Sequence, residues 1–168
     1  MSNKSDYSKE EWILLHRVPG MVGAAVLAAD ESGVWGTTKE TFVLSKEWAK
    51  GVANYPNNSL IQALLREKTD PEGDPIKDAY QDFKEDIKRK GLDQFTDDIV
   101  ADCSKAADVL DEKSSADEAS QYKAWVMTVA RKVAGAAKEK DSDADKVSPK
   151  EAALLQNVAE ALRHESAT

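Results

Sequence analysis

Six carboxylates stand out by their spacing. Asp141, Asp143 and Asp145 occupy positions one, three and five of a run that closes on Glu151. Alternating carboxylates between two helices form the donor pattern of a calcium loop of EF-hand type, since a hard cation takes roughly six to eight oxygen ligands. Lys146 stands where that loop needs its glycine, and Glu151 falls at position eleven rather than twelve. The pattern therefore reads as a looser site in which Asp141, Asp143, Asp145 and Glu151 converge on one ion. Oxygen-only ligands select calcium or magnesium over zinc or copper. The same residues also suit solvated turn positions, with Glu151 then engaged as the capping-box partner of Ser148.

The other end of the chain repeats the arrangement. With an offset of 111, Val22 falls on Val133, Ala24 on Gly135, Ala25 on Ala136, Asp30 on Asp141, Thr37 on Ser148 and Glu40 on Glu151. Each copy holds an apolar helix of small residues, a loop opening on Asp, and a helix boxed by Thr or Ser with Glu. Asp30 and Glu40 thus join the candidate metal ligands. Trp35 interrupts the first loop and suits a plug onto the core better than a ligand. Small residues let helix backbones approach closely, so the two apolar helices are expected to cross at the centre of the bundle.

The surrounding composition narrows the function. The chain has 168 residues, 31 acidic and 23 basic, a net charge of −8. Nucleic-acid backbones and anionic membrane surfaces are bound by Lys and Arg, so this balance argues against both. It fits cations or basic partners. Cys103 is the single cysteine, which excludes an internal disulfide and a thiolate zinc cage. Met1 to Glu10 is polar, and the longest apolar run, Met21 to Ala29, is far short of the roughly 20 residues a spanning helix needs. A cytoplasmic protein that does not itself span a membrane is expected.

The elements that would position these residues are helical throughout, because period-two alternation is nearly missing and helical spacing recurs. Ser8 and Glu11 form a capping box opening a helix through Trp12, Leu15 and His16, which Pro19 is expected to interrupt before a second helix from Met21 to Ala29. A box at Thr37 and Glu40 opens a helix with Leu44, Trp48 and Val52 on one face. Tyr55 to Asn58 is a turn, with Ser59 capping a helix of Leu60, Ile61, Leu64 and Leu65. Thr69 to Pro75 reads as a linker, and Pro75 opens a helix carrying Ile76, Tyr80, Phe83 and Ile87 that Gly91 ends. Leu92, Phe95, Ile99, Cys103, Ala106 and Leu110 then step by three or four. Ser115 with Glu118, and Ser148 with Pro149 and Glu151, open the last two helices. These carry Tyr122, Trp125, Val129 and Val133, then Leu155, Val158, Ala159 and Leu162.

Reached at these residues, the doubled pattern resembles the TerB-like family of tellurite-resistance proteins. Val26 to Asp30 with Thr37 to Glu40, and Ala136 to Asp145 with Val147 to Glu151, carry the resemblance. Within it, Asp30, Glu40, Asp141 and Glu151 match the family pattern. The resemblance implies a compact all-helical fold with an internal pseudo-repeat and an acidic metal-binding surface. It also implies a stress-related, non-catalytic role alongside a membrane-bound protein partner.

Other constellations offer less. A ferritin-like di-iron centre needs Glu three residues before each histidine, but positions 13 and 161 are Ile and Ala. His16 reads as a packing histidine and His164 as a favourable charge near a helix C-terminus. Cys103 lies on an apolar stripe and reads as a buried structural thiol. Asp78, Asp82 and Asp86 make an acidic stripe that neighbouring lysines partly neutralise. No glycine-rich phosphate loop or nucleophile elbow occurs.

The expectation is thus a single all-α domain over residues 1–168, of about seven or eight helices with a two-fold pseudo-repeat. Residues 1–7 form a flexible tail and 69–75 link the halves. The chain is a non-enzymatic monomer or homodimer that binds calcium or magnesium at its acidic loops. The alternative is a metal-free protein-interaction module whose acidic faces meet a basic partner.

Overall fold

A computed structural model describes residues 2–29, 46–66, 85–138 and 148–164. Among them regular structure is entirely helical. After a 3-10 turn at Lys4–Asp6 come α1 (Lys9–Ala29), α2 (Gly51–Asn54), α3 (Ser59–Arg66), α4 (Leu92–Lys113), α5 (Ala116–Lys138) and α6 (Pro149–Ala161). Residues 46–49 and 85–90 are also helical. The all-α expectation holds. The Asp78 and Asp82 part of the acidic stripe, the Thr37–Glu40 box and the 69–75 linker lie outside the described residues.

The start of α1 follows the capping-box reading: Glu11 N–H donates to Ser8 Oγ and Ser8 N–H to Glu11 Oε2, at 3.2 and 2.6 Å. From Val18 onward nearly every residue is buried, which makes α1 the central helix. It packs most extensively along α5, then α4, then α6. By length and composition alone α1 could cross a membrane, with mean hydropathy 1.5 over its most apolar window; 72% of that window is buried inside the fold.

Pro19 does not interrupt this helix. Lys9–Ala29 runs through it as one element. Proline removes the N–H that would reach the carbonyl four residues earlier, at Leu15. Here Tyr122 of α5 donates its hydroxyl to that carbonyl at 2.6 Å. A tertiary contact therefore satisfies the acceptor that the helix alone leaves open, and the sequence around Pro19 carries no local sign of it.

Two further expectations are corrected. Trp48 and Val52, expected on one face, differ in environment: Trp48 is half-buried against the core, whereas Val52 is 39% exposed. Asn58, not Ser59, caps α3: Ile61 N–H donates to Asn58 Oδ1 at 2.9 Å. The Ser59 hydroxyl is turned instead onto the Glu118 carboxylate.

Residues 2–7 lie against the bundle rather than apart from it. The Ser2 N–H and hydroxyl both donate to Glu118, at 3.1 and 3.0 Å, and Tyr7 is buried with its hydroxyl 2.8 Å from Ser114 Oγ. The core joins Trp12, Leu15, Val22 and Val26 of α1 to Leu60, Ile61 and Leu64 of α3. Phe95, Ile99, Cys103 and Leu110 of α4 join it, with Tyr122, Trp125 and Val133 of α5 and Leu154 and Val158 of α6.

Candidate functional site

Of the six proposed metal ligands, Asp30, Glu40, Asp141, Asp143 and Asp145 lie outside the described residues. Glu151 is within them, at the start of α6. It is 3% exposed, and its Oε2 accepts the Ser148 N–H at 2.8 Å while its own N–H donates to Ser148 Oγ at 3.2 Å. This is a complete capping box with Pro149 in the first turn. One of the two carboxylate oxygens is thereby used by the helix it opens. No group of three or more metal-ligating side chains occurs among the described residues.

Among the described residues, the strongest charge feature is one that loop spacing does not reveal. Between Leu92 and Lys113, α4 carries seven carboxylates against two lysines, five of the chain's eight net negative charges. Its buried stripe, Phe95 through Leu110, faces the core, so the carboxylates are driven to the other side. Asp98 pairs with Lys90 at 2.5 Å, and Asp102 with Lys105 at 3.0 Å. Asp93, Asp97 and Glu112 are exposed and have no ion-pair partner among the described residues. Counting charge per helix would have found this face; attention to loop carboxylates passed over it.

The C-terminal end of α4 is tied to α6 through one arginine. Arg163 donates to Asp108 Oδ1 at 2.5 Å and to Asp111 Oδ2 at 2.7 Å. Asp111 also receives Lys123 Nζ at 2.8 Å, and the Lys123 and Arg163 donors hold its carboxyl below the usual range despite partial burial. Arg163 does this from a left-handed backbone, φ 52°, which closes α6: its N–H reaches Glu160 O, and His164 N–H reaches Ala159 O at 2.9 Å. That is a Schellman ending with arginine where glycine is favoured.

Between α5 and α6 lies an open groove of about 620 Å³, its floor formed by Met127, Leu155 and Ala159 and its rim by Arg131, Glu160 and Arg163. His164 borders it. Burial, then the Arg131 and Lys123 charges, push its imidazole below the ordinary value. Both effects disfavour the charged imidazole that a helix-end cation would need. The other chemistry-bearing groups are quiet. Burial pushes the Cys103 thiol up to about 12, so it is not a nucleophile near neutrality. His16 packs its ring edge against Trp48 at 5.7 Å, in line with a packing role.

No protein-family model matches the chain, and no curated protein or solved structure is detectably similar to it. Its own chemistry must carry the functional reading.

Proposed function

We propose that this protein is a non-catalytic binding module whose α4 face docks a basic partner. The observation that carries the reading is the concentration of carboxylates on one helix, with Asp93, Asp97 and Glu112 exposed and unpaired among the described residues. Such a face speeds encounter with a lysine- or arginine-rich surface and fixes its orientation more than it adds raw affinity. The rest of α4 is anchored by its buried stripe and by Arg163, so the face is presented on a rigid element. The test is calorimetry with a lysine-rich peptide at low and high salt. Binding that falls with salt, and is lost when Asp93, Asp97 and Glu112 become Asn, Asn and Gln, supports the reading. Equal binding by that triple variant sinks it.

A second reading rests on the alternate spacing of Asp141, Asp143 and Asp145. In it the acidic loops hold calcium or magnesium, Glu151 adds its second oxygen, and the two halves form a TerB-like pseudo-repeat serving stress or tellurite resistance. Calcium titration of chelator-treated protein separates the two. A saturable signal below millimolar concentration, abolished by Asp143→Asn with Asp145→Asn, favours the metal; no saturable signal removes it.

A further inference from the structure

The acidic face of α4 has two ends. At about 3.6 residues per turn, Asp93, Asp97, Asp108, Asp111 and Glu112 fall within an arc of about 100° opposite the buried stripe. All five are exposed. Asp93 and Asp97 make the N-terminal end, and the other three make a C-terminal end about 16 Å further along the helical rise. That second end already holds a cation from the chain itself. Arg163 lays one guanidinium across two carboxylates, at 2.5 Å to Asp108 Oδ1 and 2.7 Å to Asp111 Oδ2. A guanidinium can bridge two acceptors because its donors form a planar fork, whereas an ammonium is a single point charge.

We propose that Arg163 is an internal competitor for the α4 face: it holds Asp108 and Asp111 until an arginine of the basic partner displaces it. The inference rests on the basic-partner reading and adds two things to it. The partner residue at this end is arginine, and the chain itself opposes binding there. The contact is built to be exchanged. Arg163, Asp108 and Asp111 are 52%, 66% and 44% exposed, and exposed pairs of this kind contribute little to stability. The end of α6 does not depend on the guanidinium, since Leu162 is fully buried and the turn is closed by the Arg163 and His164 backbone N–H groups. Nor does α4, which keeps its buried stripe and the Lys123 pair with Asp111 when Arg163 swings away. A competitor in the same chain lowers apparent affinity in proportion to the time it occupies the site. Removing it therefore tightens binding of an arginine-bearing partner.

The probe is a short peptide of alternating arginine and serine, titrated by calorimetry at low salt into the full chain and into Arg163→Gln. The variant should bind it about fivefold more tightly, the equivalent of one exposed ion pair, and the gain should vanish when Asp108→Asn and Asp111→Asn are added. A peptide with lysine in place of arginine should gain less. Arg131→Gln makes the same change in net charge from an exposed position on α5 and should give no gain. Unchanged helical circular dichroism confirms that each variant is folded. Equal or weaker binding by Arg163→Gln overturns the proposal while leaving the basic-partner reading intact. An equal gain from Arg131→Gln also overturns it, because net charge alone is then responsible, and an equal gain for the lysine peptide overturns the choice of arginine. Absence of binding to every form overturns the basic-partner reading and this inference with it.

Discussion

The Tyr122 hydroxyl donates to the Leu15 carbonyl at 2.6 Å, across the packing of α5 on α1, and this is the carbonyl that Pro19 deprives of its helical N–H. Burial pushes the Tyr122 hydroxyl well above its ordinary value, which keeps it protonated as a donor. Tyr122→Phe leaves a buried acceptor unpaired and is expected to cost about 1–3 kcal/mol in urea unfolding. Pro19→Ala restores an N–H to Leu15, so the same substitution should cost less than half as much in that background. Equal costs in both backgrounds would show that the hydroxyl does not compensate for the proline.

Glu118 joins three segments. Its carboxylate accepts from the Ser2 N–H and hydroxyl and from the Ser59 and Ser115 hydroxyls, while Asn58 Nδ2 donates to its backbone carbonyl. Burial alone would raise its pKa, but the Ser59, Ser2 and Ser115 donors outweigh it and hold the carboxyl at about 2, below the ordinary 4.5. A depressed carboxyl stabilises the fold above its unfolded value, and that stabilisation is lost as pH falls from 4.5 through about 2. Glu118→Gln should therefore lower stability at pH 7 by about 2 kcal/mol. It should also flatten the loss of stability in that acid window, read by thermal melts from pH 7 to 2.

Arg163 combines backbone strain with a two-carboxylate grip. Arg163→Ala loses both Asp108 and Asp111 while keeping the left-handed φ of 52°. Arg163→Gly loses the same ion pairs but relieves the backbone. The alanine variant is expected to be the less stable by about 1 kcal/mol. Equal stabilities would mean that residue 163 rearranges once its side chain is removed.

Gly51 sits where α2 touches α3 and α5. A Cβ there would lie 2.8 Å from Leu65 Cδ1 and 2.9 Å from the Trp125 ring. Gly51→Ala should cost about 1–3 kcal/mol through overpacking and shift the emission of buried Trp125. Unchanged stability and emission would show that α2 moves aside freely.

The helical fold was legible because its signals are local. Gly91, with φ 84°, both ends the stretch 85–90 and precedes α4, as a glycine stop predicts. The stripe from Phe95 to Leu110 and the Ser148–Glu151 box followed from spacing alone. What spacing could not show is long-range: the Tyr122 hydroxyl and the Leu15 carbonyl it serves are 107 positions apart in sequence, and Glu118 and the Ser2 it draws inward are 116 apart. The site was less legible still. Glu151 is equally a ligand and a helix cap in sequence, and only the folded geometry shows one oxygen committed to Ser148. The α4 carboxylates were plain in the sequence, yet a dispersed face has no motif to draw attention to it.

The most direct test of the α4 reading is residue-resolved. In a ¹⁵N-edited nuclear magnetic resonance titration with a lysine-rich peptide, the account predicts amide shifts confined to α4 and centred on Asp93, Asp97 and Glu112, reversed by salt. Shifts spread evenly over the acidic surface, or persisting when those three carboxylates are neutralised, would contradict it.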